Sequence, residues 1–436
     1  MTRSPAAQQT LGSDAHAQHR AALRRMFDAV VDAANPEHLV IRHLPRPPRG
    51  RTLILSAGKA AAVMAKAADE AWDAPLSGLA VTPYGHGVAC PRVEVIEASH
   101  PVPDQAGQSA TARFLDEAKA LGPDDLLLCL ISGGASALLA APVPGITLTH
   151  KQQVTAALLR SGATIHEMNC VRKHLSAVKG GRLALHAAPA RVATLLISDV
   201  PGDDPSVVGS GPTFGDASTQ GEAQAILARY RIEPPPQVRD ILKDPSAETP
   251  EASHPHLAGT SHRILVRPRD ALRAAARSAR SAGFRPLLLS DRIEGEARDI
   301  GTMHAAIARH VLEAGQPARP PLALISGGET TVTLQGNGNG GRNTEFLLAA
   351  ALALDGVNVH GLACDTDGID GRGNHAGAHI DPSTLTRAAE RGLNARYLLD
   401  THDSGGFFEA LGDLVVTGPT RTNVNDFRAF LVPAPA

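Results

Sequence analysis

The chain has 436 residues, 42 Lys and Arg against 44 Asp and Glu, a formal net charge of −2, and is 43% hydrophobic but only 3% aromatic. That length suits two or three domains. The balance excludes a disordered chain, and neutral charge with few aromatic rings argues against a nucleic-acid partner. Cys90, Cys129, Cys170 and Cys364 show no CxxC or CxH spacing, so free thiols in a reducing, cytoplasmic setting are expected rather than disulfides or zinc. No run approaches the ~20 apolar residues of a membrane span.

In chain order, residues 1–19 are polar and rich in Ala, Gln and His, and a disordered tail is expected there. Leu23, Met26, Phe27, Val30 and Val31 recur at helical spacing, which predicts a helix over 21–34. The run 52–56 then reads as a strand, turning through Ala57-Gly58-Lys59 into a helix over 60–72. The alternation repeats at 126–132 before Gly133-Gly134, at 192–198 before Asp199, and at 321–326 before Gly327-Gly328. Apolar runs separated by helices predict an α/β fold with a parallel sheet. Residues 169–182 read as one basic helix carrying Arg172, Ser176 and Lys179 on one face. The stretch 231–262, with six prolines and His254, His256 and His262, reads as a connection with solvated histidines. Residues 330–335 alternate polar and apolar, as in a half-exposed strand, so the C-terminal sheet is expected to be mixed. These readings place a first domain over 20–253, a linker over 254–262 and a second segment over 263–436.

The chemistry-bearing residues sit at strand ends. Backbone N–H groups at a helix start bind anions, and glycine permits close approach; Ser132-Gly133-Gly134-Ala135-Ser136 fits that role. A serine-hydrolase elbow would need glycine on both sides of the nucleophile, and Ser136 is followed by Ala137. Lys59, beside Gly58, stands where α/β sheets place ligands, although no P-loop motif is present. The repeated Leu-Ile-Ser-Gly-Gly at 130–134 and 324–328 suggests two similar anion turns, with Gly327, Gly328 and Glu329 forming the second. Gly336 to Gly341 matches the dinucleotide pattern GxGxxG. Asn337 within it and Arg342, Asn343 and Glu345 at its end suit anionic oxygens in phosphoryl transfer better than a Rossmann turn. Arg172 and Lys179 could meet an acidic substrate. Asp199, Asp203, Asp365 and Asp367 follow strands, and such carboxylates suit Mg²⁺ shared with substrate phosphates; an EF-hand is excluded because Ile369 and Ala376 occupy ligand positions of that loop.

Taken as an ordered set, Ser56 to Ala60, Ser132 to Ser136, Asn169 to Leu183, Ser198 to Asp203, Gly209 to Thr213, Ile325 to Thr330, Gly340 to Glu345, Asp365 to Gly371 and Thr420 to Asp426 resemble the type II glycerate kinase family. Its C-terminal part is called the MOFRL domain, and its members are often labelled hydroxypyruvate reductases. The resemblance implies a Rossmann-like N-terminal domain, a smaller mixed α/β MOFRL domain over about 322–432, and an active site in the cleft between them. It implies ATP-dependent, Mg²⁺-assisted phosphorylation of D-glycerate at the 2-hydroxyl, with Lys59 and Arg342 essential. On that basis Asp199 or Asp203 is the expected base, and Asp203, Asp365 and Asp367 are expected metal ligands. A homodimer is possible, and any adenine pocket is expected to be aliphatic. An NAD(P)H-dependent hydroxypyruvate reductase and a non-catalytic sugar-acid binder are the alternatives. Thr344 departs from the family pattern, where Gln is more usual.

Overall fold

The computed structural model describes residues 5–200, 202–334 and 338–435, with side chains from residue 15 onward. The chain forms two compact units, Asn35–Val266 and a second made of Met1–Ala34 together with Arg267–Ala436.

The first unit is built on six strands, β1 (Thr52–Ala57), β2 (Leu76–Pro83), β3 (Val93–Ala98), β4 (Leu126–Ile131), β5 (Arg191–Ile197) and β6 (Thr260–Val266). All pair in parallel, in the order β3-β2-β1-β4-β5-β6. β1 and β4 are buried along their whole length, which is why they read as unbroken apolar runs. Phe114 and Ala118 of the helix Gln105–Lys119 share one core with Leu53, Leu79 and Leu127. A satellite core joins Val154 and Leu158 to Val171 and Leu227. The order reverses direction between β1 and β4, the switch point at which doubly wound sheets bind ligands at their carboxyl ends.

Two expectations change here. Residues 260–266 are the sixth strand of this sheet, so the expected linker over 254–262 lies inside the first unit and the boundary falls at Val266. β6 escaped notice because an edge strand is half-exposed and therefore polar. The expected helix over 169–182 is broken: it spans Ile165–His174, and Gly180 and Gly181, at φ +57° and +82°, turn the chain into a new helix at Arg182.

The second unit holds β7 (Arg285–Ser290), β8 (Gly295–Glu296), β9 (Leu322–Gly328), β10 (Thr330–Thr331), β11 (His360–Asp365), β12 (Gly377–Ile380), β13 (Leu414–Val415) and β14 (Asp426–Val432). Six of them form a mixed sheet, β13-β12-β11-β14-β9-β7, in which only β7 and β9 run parallel; β8 and β10 pair separately. Of the half-exposed strand expected over 330–335, Thr330–Thr331 is the strand among the described residues, and Gln335 lies outside them. Alternation along β14 divides two layers: Phe427 lies 6.2 Å from Phe27 of the N-terminal helix, whereas Phe430 lies 5.9 Å from Phe346 of the helix Arg342–Leu354.

Of the tail expected over 1–19, residues 1–4 lie outside the described residues and the remainder is helical. A helix runs over Pro5–Ala33, and the rings of His16 and His19 lie 5.0 and 4.4 Å from that of His360 on β11. Leu23, Met26, Phe27 and Val30 are buried, so the amphipathic stripe anchors a longer helix than its apolar residues mark. No helix among the described residues is long and apolar enough to cross a membrane.

Candidate active site

In the first unit the residues at the switch point interlock. The Lys59 N–H donates to Gly133 O at 2.8 Å, and the Ala60 N–H donates to Ser132 Oγ at 3.0 Å. Gly58 has φ +128°, and a Cβ there would lie 2.2 Å from Ser132 Oγ, so glycine is required where the two turns meet. Gly134, at φ +84°, opens the short helix Ala135–Leu138. A Cβ on it would lie 3.1 Å from His100 Nε2 and 3.4 Å from Lys59 Cγ. Lys59, Gly134 and His100 are therefore neighbours.

Beyond Gly134 and His100 opens a cavity of about 440 Å³. Lys151, Arg172 and Lys179 line it against a wall that includes Leu139, Leu148 and Ala156. Lys179 is buried and donates to Leu139 O at 2.7 Å; Lys151 and Arg172 are half-buried. Among the described residues none of the three forms an ion pair with a carboxylate. Burial, then Arg172 and Arg182, push Lys151 down to about 7; burial, then Lys151 and Arg172, hold Lys179 well below its ordinary value; and burial lowers Arg172. Basic side chains whose positive charge is disfavoured by burial and by one another are stabilised in their charged form by an anion that enters the cavity. Ser136, on the cavity wall, shares a 2.8 Å hydrogen bond with Ser210, which donates to Asn169 Oδ1 at 3.2 Å. Asp199 and Asp203 lie on the loop that leaves β5; Asp199 is half-buried, and Asp203 is buried in the left-handed region at φ +59°.

In the second unit Arg342 is the first residue of its helix. Its Nε donates to both oxygens of Asp426 at 2.8 and 3.0 Å, its Nη2 to Asp365 Oδ2 at 2.7 Å, and its Nη1 lies 3.3 Å from Glu329 Oε1. Burial opposes the charge, but Asp426, Asp365 and Glu329 outweigh it and hold the guanidinium well above its ordinary value. Asn343 donates through Nδ2 to Asp426 at 2.8 Å and through its N–H to Asp370 at 3.0 Å. Thr344, the departure from the family pattern, ties Gly341 N–H to Asp370 through its hydroxyl. Arg428, wholly buried on β14, donates to Thr330 Oγ1 and Asp426 and lies over the Phe346 ring.

Several expected site residues have structural employment. Glu345 is buried and accepts from Arg298 Nε at 3.1 Å and His402 Nδ1 at 2.9 Å. Gly327 and Gly328 are not a turn like Gly133-Gly134: both lie within β9 opposite Phe427 and Asp426, and a Cβ on Gly328 would lie 2.3 Å from the Ile293 backbone. Of the glycine loop, Asn337 lies outside the described residues, and Gly338 and Gly340 pack against 402–404. Asp365 Oδ1 accepts the Asp367 N–H and Asp367 Oδ1 accepts the Ile369 N–H. Among the described residues no three His, Cys, Asp or Glu side chains are grouped to hold a metal.

Two family models match the chain, a domain of unknown function (DUF4147) over residues 22–243 and the MOFRL family over 322–426. The D-glycerate 2-kinase of Thermotoga maritima is 39% identical over 399 residues, covering 91% of this chain and 94% of its own length. The chain belongs to the MOFRL glycerate kinase family. The family is one of enzymes, and the crystal structure of glycerate kinase from Thermotoga maritima superposes with a TM-score of 0.85 at 38% identity, covering 95% of this chain and 99% of that one. An Agrobacterium vitis protein, provisionally named a hydroxypyruvate reductase, is 52% identical over 95% of this chain and 94% of its own.

Against this glycerate kinase family background, the residues that sequence reasoning passed over are Lys151, His100 and Arg428, whereas Asp370 and Asp426 stood within the family segments Asp365 to Gly371 and Thr420 to Asp426 without a role of their own. Lys151 sits in an ordinary amphipathic helix, Leu148–Ser161, with no motif around it. Asp426 did carry a signal, because it closes the Asn-Val-Asn-Asp run that starts β14.

Proposed function

We propose that the protein phosphorylates D-glycerate at its 2-hydroxyl with ATP, carried as the magnesium complex, to give 2-phosphoglycerate and ADP. The observation that carries this reading is the set of cations at the β1/β4 switch point: Lys59 beside Gly134, and the cavity holding Lys151, Arg172 and Lys179 without a carboxylate partner among the described residues. Family membership supports glycerate phosphorylation; the nucleotide, the metal and the 2-position are part of the proposal. A magnesium ion would supply charge neutralisation to the phosphates, and the carboxylates that would help to hold it are Asp203 in the first unit or Asp365 and Asp367 in the second.

In this reading Lys59 in the first unit neutralises phosphoryl oxygens and Asp199, or its neighbour Asp203, accepts the hydroxyl proton, while Arg342 in the second unit offers its own positive charge to a phosphoryl oxygen. Arg342 has one nitrogen suited to that task. Nε and Nη2 are fixed by the buried Asp426 and Asp365, whereas Nη1 faces Glu329, which is half-exposed at 3.3 Å. A phosphoryl oxygen can replace that contact while the other two keep the guanidinium plane oriented. A Rossmann-type reductase would carry its dinucleotide turn after β1, where Ser56-Ala-Gly-Lys59 lacks the glycine pattern, and the GxGxxG match at 336–341 leads instead into a helix whose first residue, Arg342, is held by Asp365 and Asp426.

The test is ADP release with D-glycerate and Mg²⁺, run beside NADH consumption with hydroxypyruvate. Glycerate-dependent ADP release, falling at least 10²-fold in Lys59→Ala, supports the reading. Hydroxypyruvate-dependent NADH loss without ADP release refutes it.

A further inference from the structure

We propose that the cavity bounded by Lys151, Arg172 and Lys179 is the nucleotide site, and that Lys151 is a phosphate ligand within it. This deepens the kinase reading and rests on it. Three observations select a nucleotide over the three-carbon acid.

The first is size. A volume of about 440 Å³ lies in the range of pockets that enclose drug-sized or cofactor ligands, roughly 300–1,000 Å³, and is far more than a glycerate anion fills. The second is charge. Three basic side chains with no carboxylate partner among the described residues match a polyphosphate, which offers an anionic oxygen to each, whereas a monocarboxylate carries one negative charge for all three. The third is the apolar rim. Val102 and Leu159 border the cavity and are 61% and 60% exposed, among the most exposed large apolar side chains of the chain. Two such side chains bordering the pocket offer apolar surface to a flat, apolar-faced ring. Phosphates would thus sit toward Lys151, Arg172 and Lys179, near Gly134 and Lys59, and the base against Val102 and Leu159.

The test measures ADP and inorganic tripolyphosphate binding to the full chain by titration calorimetry, with KM values for ATP and D-glycerate measured separately. Lys151→Met should weaken both ADP and tripolyphosphate by at least tenfold, and Lys151→Arg should restore most of that loss. Val102→Ala with Leu159→Ala should weaken ADP severalfold while leaving tripolyphosphate unchanged, a split that a folding defect would not produce. The assignment is overturned if Lys151→Met raises KM for D-glycerate with KM for ATP unchanged, or if the wild-type chain does not bind ADP. Should ADP bind with the expected dependence while no glycerate-dependent turnover occurs, the site assignment stands and the proposed reaction falls.

Discussion

Replacing Asp426 with Asn isolates the electrostatic centre of the second unit. Asp426 is buried and accepts from Arg342 Nε at 2.8 and 3.0 Å, from Asn343 Nδ2 at 2.8 Å, and from the wholly buried Arg428. The variant keeps the shape but removes the charge, leaving Arg428 buried without its carboxylate and turning an amide N–H toward one guanidinium. Breaking a buried pair by removing one partner costs about 3–5 kcal/mol. Asp365 still holds Arg342 at 2.7 Å, which argues for the lower end, about 3 kcal/mol. In a unit of about 200 residues, each kcal/mol shifts the melting temperature by about 2–4 °C, so a fall of about 6–12 °C is expected. Thermal melting gives the magnitude, and amide exchange should show the loss at β14 and β9. A variant melting within about 2 °C of the wild type, with unchanged protection there, would refute the reasoning.

Gly58→Ala should fail differently, because its Cβ would lie 2.2 Å from Ser132 Oγ and 2.6 Å from Ser132 O at φ +128°; a loss of about 3 kcal/mol or more is expected, and a variant as stable and active as the wild type would contradict the interlock. Acid should weaken the second unit through buried neutral histidines. Burial holds His304 down to about 4 and His360 and His379 down to about 3; unfolding returns each to about 6.5 and takes up a proton, so their stability is full above pH 6.5 and lost as pH falls toward 3. By pH 5.5 each costs about 1 kcal/mol, and a melting temperature that is flat between pH 7.5 and 5.5 would show that they are not shielded. Arg342→Lys keeps the charge but cannot span Asp426 and Asp365 together, so turnover should fall at least tenfold, measured as glycerate-dependent ADP release.

What could be read beforehand follows burial. β1, β4, β5 and β9 announced themselves as apolar runs because parallel or central strands are covered on both faces. β6 was hidden by its half-exposed, histidine-bearing face, and the break after His174 by a double glycine whose positive φ angles are a property of the fold. Lys59, Gly58 and Gly134 were legible because strand-end turns are local. Lys151 was not, since its meaning comes from Arg172 and Lys179, brought to it by tertiary packing. The partners of Arg342 stand at 329, 365 and 426, and only the antiparallel pairing of β9, β14 and β11 gathers them.

The central claim is most directly tested by phosphorus NMR of the product formed from D-glycerate, ATP and Mg²⁺. The account predicts one phosphomonoester resonance coupled to the single methine proton of carbon 2, appearing with ADP and absent when glycerate is omitted. A resonance coupled to the methylene protons of carbon 3, or no new phosphoester at all, would contradict it.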